Sequence, residues 1–260
     1  MKALFRSILL GAIAGEVLLV TLTLTSHSPP TWLFFLILGV LLLALALPLS
    51  SLLLTAKKER NWIRAIDRTA TRFGIPRKAL SYWVSEVLML GGFLRKQPRG
   101  TAFGYAGPLR IIVWAISALV IVEIAVVHML LTNTGWRIIL AVLSLYGLWV
   151  LLGFYASQRH RPHSLTEENL TLRSGHRFEL VIPRNLIARS GAQRPGDGAS
   201  ISVDEAGLCR LPVLNQVNTV VELAEPVVAR DLLLGEIPVR RVEFSCDERD
   251  ELLARLGPRA

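Results

Sequence analysis

The chain is poor in the residues that most enzyme chemistry needs. Only two cysteines occur in 260 residues, Cys209 and Cys246, and there is no CxxC. A zinc ribbon or a dithiol redox centre is therefore not indicated, and both read as reduced structural thiols of a cytosolic domain. There is no Gly-rich phosphate loop, no GxSxG, no HExxH and no kinase motif. Acid is scarce in the middle of the chain. Eleven Lys and Arg lie between Lys57 and Arg99, opposed only by Glu59, Asp67 and Glu86. From Ser164 onward acids outnumber bases. The net charge of +9 thus sits beside apolar segments, which points to anionic lipid headgroups and away from nucleic acid.

Apolar residues, by contrast, are abundant. They make up 52% of the chain, mean hydropathy is +0.47, and they fall in long runs. Residues 4–25, 32–54, 109–131 and 136–156 each supply roughly the 20 residues that a hydrocarbon core of about 30 Å requires. The first run follows Lys2 and Arg6 but is too long for a cleaved leader and contains Glu16, so it reads as a retained helix. Trp32 and Trp136 are placed as interfacial anchors, and Pro48 predicts a kink near the end of the second run. The amino terminus, residues 57–108 and Gln158–Arg161 carry the basic residues, whereas the turns around His27 and Asn133 carry little charge. Both termini and the long connection are therefore expected in the cytoplasm, with four spans crossing the inner membrane.

The connection 57–108 contains amphipathic segments. Trp62, Ile63, Ile66, Ala70 and Phe73 recur at helical spacing, while Arg60, Arg64, Arg68 and Arg72 repeat every four residues on another face. This pattern suits a helix on the inner leaflet, with Arg77 and Lys78 adding headgroup contacts, or equally a helix packed on the cytosolic domain or on a second copy of the chain. A second segment, from Lys78 to Phe93, is stopped by Gly91–Gly92.

Charge inside an apolar run is costly and marks candidate function. Glu16 and Glu123 fall within roughly 5 Å of the same depth if spans one and three run parallel. Two carboxyls sharing one low-dielectric site would share a proton or bind a cation. His128, five residues after Glu123, lies about 140° around the helix and nearer the exterior, so the two are not a metal pair. The plain alternative is that these acids are protonated and bind neighbouring helices. His160-x-x-His163 reads as a solvated basic linker, and the acids from Asp247 to Glu251 read as the dipole-favoured start of a last helix capped by Asp247. No metal or cofactor is called for.

After His163 the texture changes to short alternating runs. Residues 169–173 and 177–182 flank a Ser174–Gly175 turn, Pro183–Arg189 suits a single helical turn, and Ser190–Ala199 reads as a loop. Further strands are predicted at 201–203, 209–213, 219–223 and 239–244, then a helix at 248–256. The expectation is a small barrel or sandwich over residues 164–260, plugged by its terminal helix.

The run from Leu165 to Gly175, followed by Ile182–Pro183 and Ile187, resembles the opening of bacterial pleckstrin-homology-like domains. The whole chain resembles a broad set of bacterial four-span membrane proteins. That resemblance is carried by Phe103–Gly104–Tyr105, by Glu123 with His128, and by Asn218 through Pro226. It implies an inner-membrane protein of α-helical spans plus an α+β, β-rich PH-like domain used for anchoring and assembly, compatible with a homo-oligomer. The alternatives are a proton- or cation-coupled carrier using the intramembrane carboxylates, or a membrane enzyme acting on a lipid.

Overall fold

A computed structural model describes residues 7, 11, 15, 21, 31–59, 61–90, 100–132, 134–197 and 200–257. The chain forms two compact units, Met1–Tyr82 and Trp83–Ala260.

In the first unit, α1 (Thr31–Glu59) carries no charge until Lys57, Lys58 and Glu59. Its two lysines fall in the last turn, where the helix dipole favours cations. Ser7, Gly11, Gly15 and Thr21, the described residues of the first apolar run, are helical. The rest of that run, Glu16 included, lies outside the described residues. Gly15 packs so closely on α1 that a Cβ there would sit 2.9 Å from Ile37 Cγ1. The helix α2 (Trp62–Phe73) begins where the Asn61 side chain accepts from the Ile63 and Arg64 N–H groups, and ends at Gly74 with φ 72°. Its apolar face of Ile63, Ile66, Ala70 and Phe73 is buried. The helix α2 packs against α1, a partner that the sequence reading did not weigh. The next helix, α3 (Arg77–Leu90), runs across the boundary between the units.

In the second unit, α4 (Gly107–Leu130) and α5 (Thr134–Arg159) are antiparallel neighbours because so few residues join them. With α1 they are the three described helices long and apolar enough to cross a membrane. Only 11% of the most apolar window of α4 and 6% of that of α5 are buried. Such bare apolar surface requires lipid or another apolar partner.

The remainder is a mixed nine-stranded sheet. Its strands are β1 (Thr101–Phe103), β2 (His163–Leu165), β3 (Asn169–Ser174), β4 (Phe178–Pro183), β5 (Ile187–Asp197), β6 (Ser202–Val203), β7 (Leu208–Leu211), β8 (Gln216–Asp231) and β9 (Gly235–Phe244). The order is β1-β2-β3-β4-β8-β9-β7-β6, with β5 on β8. All pairs are antiparallel except β7 with β9. The strand β8 shifts register between Glu222 and Val227, around Pro226. It gives its first half to β5 and its last residues to β4, so the sheet turns a corner and closes over a core. Leu170, Leu172, Leu180, Ile182, Val221, Val242 and Phe244 fill that core. Leu252 and Leu256 of the terminal helix α6 (Arg249–Leu256) complete it.

Three features differ from the sequence reading. The sheet begins upstream of residue 164, at β1, a strand taken from the segment before α4. The Gly/Pro-rich stretch read as a loop continues β5 to Asp197. An edge strand tolerates proline, and a register shift between Ala192 and Gly196 absorbs the irregularity. Asp247 does not cap the helix that follows it; Glu248 holds the N-cap position there, without a side-chain capping bond.

Candidate functional site

The richest polar constellation among the described residues lies where α4 and α5 meet the sheet. Phe103 is buried in the sheet core, and the three residues after it turn the chain into α4. The Gly104 N–H donates to Glu248 Oε2 at 2.7 Å, and the Asp247 N–H returns to Gly104 O at 2.8 Å. The Gly107 N–H, at the first position of α4, donates to Asp247 Oδ2 at 2.9 Å. Asp247 is thus a remote cap: a carboxylate from the end of the sheet satisfies an orphan N–H at the positive end of α4. A Cβ on Gly107 would stand 2.9 Å from that oxygen, so a side chain there would push the Asp247 carboxylate aside.

Tyr105 is 2% exposed. Its hydroxyl donates to Arg161 O at 3.1 Å and accepts from the Gly175 N–H at 2.8 Å. Burial pushes the phenol's pKa upward, partly offset by the Gly175 bond and the nearby Arg161 and Arg173 charges. The ring stacks on His163, centroids 4.5 Å apart. His163 is fully engaged. Nδ1 accepts from the Arg173 N–H at 3.1 Å, which leaves Nε2 to carry the proton and donate to Ser245 O at 3.0 Å. Burial lowers its pKa to about 4; the Ser245 carbonyl opposes this and the Arg173 charge adds to it. A neutral imidazole with both nitrogens committed has no free position for a metal or a substrate. The Arg173 side chain reaches Glu179 at 2.8 Å and Ser164 Oγ at 2.9 Å.

Two more contacts close the joint. Ser157 Oγ, in the last turn of α5, lies 2.7 Å from His176 Nδ1. Asn218 copies a strand's pairing: its Nδ2 donates to Cys246 O at 2.8 Å while its Oδ1 accepts from the Cys246 N–H at 3.0 Å. Burial drives the thiols of Cys209 and Cys246 up to about 12, so both are inert.

The residues singled out from sequence lie elsewhere. Glu123 and His128 are both exposed on α4, and Glu16 and Arg60 lie outside the described residues. Arg64, Arg68 and Arg72 are exposed on α2, opposite its buried face. Arg68 pairs with Glu59, and Arg77 pairs with Asp67 at 2.6 Å. Lys78 is exposed on α3. Among the described residues no cluster of His, Cys, Asp or Glu is fit to hold a metal ion. His163, read as part of a solvated linker, is instead 1% exposed. One acid missed by the sequence reading is Glu86 of α3, which accepts a hydrogen bond from the Tyr146 hydroxyl midway along α5. Compared with protein-family models, curated proteins and solved structures, the chain matches none.

Proposed function

We propose that the chain is an inner-membrane anchor and assembly scaffold, which presents its β-rich domain, PH-like in character, at the cytoplasmic leaflet. In this reading residues 4–25 form a fourth span, both termini are cytoplasmic, and the exposed Arg64, Arg68, Arg72 and Lys78 face anionic headgroups. The observation that carries the proposal is the joint. Two helix ends, a strand added upstream of the hairpin and a buried, fully paired Tyr105–His163 stack tie α4 and α5 to the sheet. A hinged carrier would need mobility at such a place; a scaffold needs a fixed angle. Homo-oligomers are the expected assembled form, because bare apolar faces on α4 and α5 suit copies of the chain as well as lipid.

The Tyr146–Glu86 contact favours a second reading, a proton- or cation-coupled carrier, since it gives a carboxyl beside the middle of α5 a specific partner. One experiment separates the two. Wild type, Glu86→Gln and Glu123→Gln are placed in proteoliposomes holding a pH-sensitive dye, and in nanodiscs for mass measurement. A scaffold gives the same assembled mass in all three and no proton flux above empty vesicles. Flux in the wild type that either variant abolishes overturns the scaffold.

A further inference from the structure

Two turns of the sheet place leucine where turn chemistry favours polar residues. The first is Val213–Leu214–Asn215–Gln216, closed by reciprocal 3.0 Å bonds between Val213 and Gln216. Leu214 and Asn215 both take positive φ, 50° and 62°. Glycine, Asn or Asp is the usual choice at such positions. Leucine occupies the first, and its side chain remains 44% exposed, so packing within the chain does not account for the choice. The second turn is Asp231–Leu232–Leu233–Leu234–Gly235, three consecutive leucines at the tip of the β8–β9 hairpin. Leu232 is buried and Leu234 is 49% exposed. The fully buried Asp231 fixes this tip. Its Oδ1 accepts from the Leu233 and Leu234 N–H groups at 2.6 and 2.9 Å, and its Oδ2 takes Arg177 Nε at 3.1 Å.

Each turn lies beside one helix end. Leu214 and Pro108, in the first turn of α4, line the same pocket of about 290 Å³. The Leu232 N–H donates to Arg177 O at 2.9 Å, and the neighbouring His176 touches Ser157 in the last turn of α5. Because α4 and α5 are antiparallel, Pro108 and Ser157 mark the same foot of the hairpin. At 1.5 Å per residue, 24- and 26-residue helices exceed a core of about 30 Å by only roughly 6–9 Å, so their feet stand at headgroup level. Arg110, in the first turn of α4, and Arg159, the last residue of α5, are exposed there, a match for anionic lipid.

We infer that the sheet domain rests on the bilayer, with Leu214 and Leu234 inserted into the interfacial layer of the leaflet that α4 enters and α5 leaves. The inference rests on α4 and α5 crossing that bilayer and adds a second, peripheral contact to it. The occupant of both tips is lipid, because each tip lies beside a helix end that carries an exposed arginine, Arg110 or Arg159, at the headgroup level of the same leaflet.

The test is collision accessibility of a nitroxide in vesicles of phosphatidylethanolamine and phosphatidylglycerol. Labels are placed by Leu214→Cys and Leu234→Cys, with Leu119→Cys in mid-α4 as the lipid reference and Glu205→Cys on the β6–β7 turn as the water reference; the buried native thiols stay unlabelled. The expected result is an oxygen-to-nickel-chelate ratio at both tips well above that of residue 205 and below that of residue 119, reporting insertion of about 5–10 Å. If residue 119 reads lipid while either tip matches residue 205, the inference is wrong and the spans stand. If residue 119 itself reads water, the spans fail and the inference falls with them.

Discussion

Protonating His163 should loosen the joint, and the size of the effect follows from its surroundings. The folded state holds the imidazole neutral with a pKa of about 4, against 6.5 when unfolded. The unfolded chain therefore binds more protons between those values, so stability rises with pH across the window. The contribution is fully present above pH 6.5, falls as pH drops from 6.5 to about 4, and changes no further below that. That difference corresponds to about 3 kcal/mol. The assay is urea unfolding of the detergent-solubilised protein, read by 4,4′-dithiodipyridine reaction of Cys209 and Cys246. Both are buried in the sheet unit and report its opening at acid pH. Carboxylates also titrate in this range, so the comparison is with His163→Gln. That variant is less stable at pH 7.5 and lacks the His163 part of the slope. Parallel pH profiles for the two proteins would refute the assignment of a buried neutral histidine to the joint.

Other perturbations have expected sizes. Tyr105→Phe keeps the stack on His163 but strands the Gly175 N–H and the Arg161 carbonyl, costing about 1–3 kcal/mol in the same unfolding assay. Asp231→Asn removes the charge of a fully buried carboxylate that binds the part-exposed Arg177 and two backbone N–H groups, and should cost about 1–3 kcal/mol. Leu252→Ala opens the plug of the sheet core and should cost about 2–5 kcal/mol, whereas Glu205→Ala on an exposed turn should fall within about 0.5 kcal/mol. Asn61→Ala removes the cap of α2 and should cost about 1 kcal/mol, read as faster amide exchange over residues 62–66.

Long-period features were legible in the sequence and long-range ones were not. Runs 32–54, 109–131 and 136–156 appear as α1, α4 and α5, with α1 and α5 longer by a few residues and α4 shifted by one or two at each end, because apolar length alone specifies them. The helix α2 was equally clear: its arginines and its apolar residues separate by simple 3.6-residue geometry. Which partner covers that apolar face was not readable, since amphipathicity is silent on the partner. Strands β3, β4, β6, β7 and β9 fall close to their predicted places, as alternation requires. The length of β8 was hidden by Ala224–Glu225–Pro226, which reads as a break and is the bend that turns the sheet's corner. The three-residue strands β1 and β2 are too short to show any period. Phe103–Gly104–Tyr105 was noticeable as a motif, yet its role depends on Asp247 and Glu248, about 140 residues away. Nothing local announces such a remote cap. The acids Glu123 and Glu16 drew attention because hydrocarbon penalises charge; Glu123 lies exposed on its helix, and Glu86, set in an amphipathic stretch, is the acid paired with Tyr146.

The most direct measurement is the sidedness of two single cysteines, Thr132→Cys between α4 and α5 and Glu205→Cys in the sheet, probed with a membrane-impermeant maleimide. Thr132→Cys should react in intact spheroplasts and Glu205→Cys only in inverted vesicles. If both react from the same face, α4 and α5 do not cross the bilayer, and the anchored scaffold is contradicted.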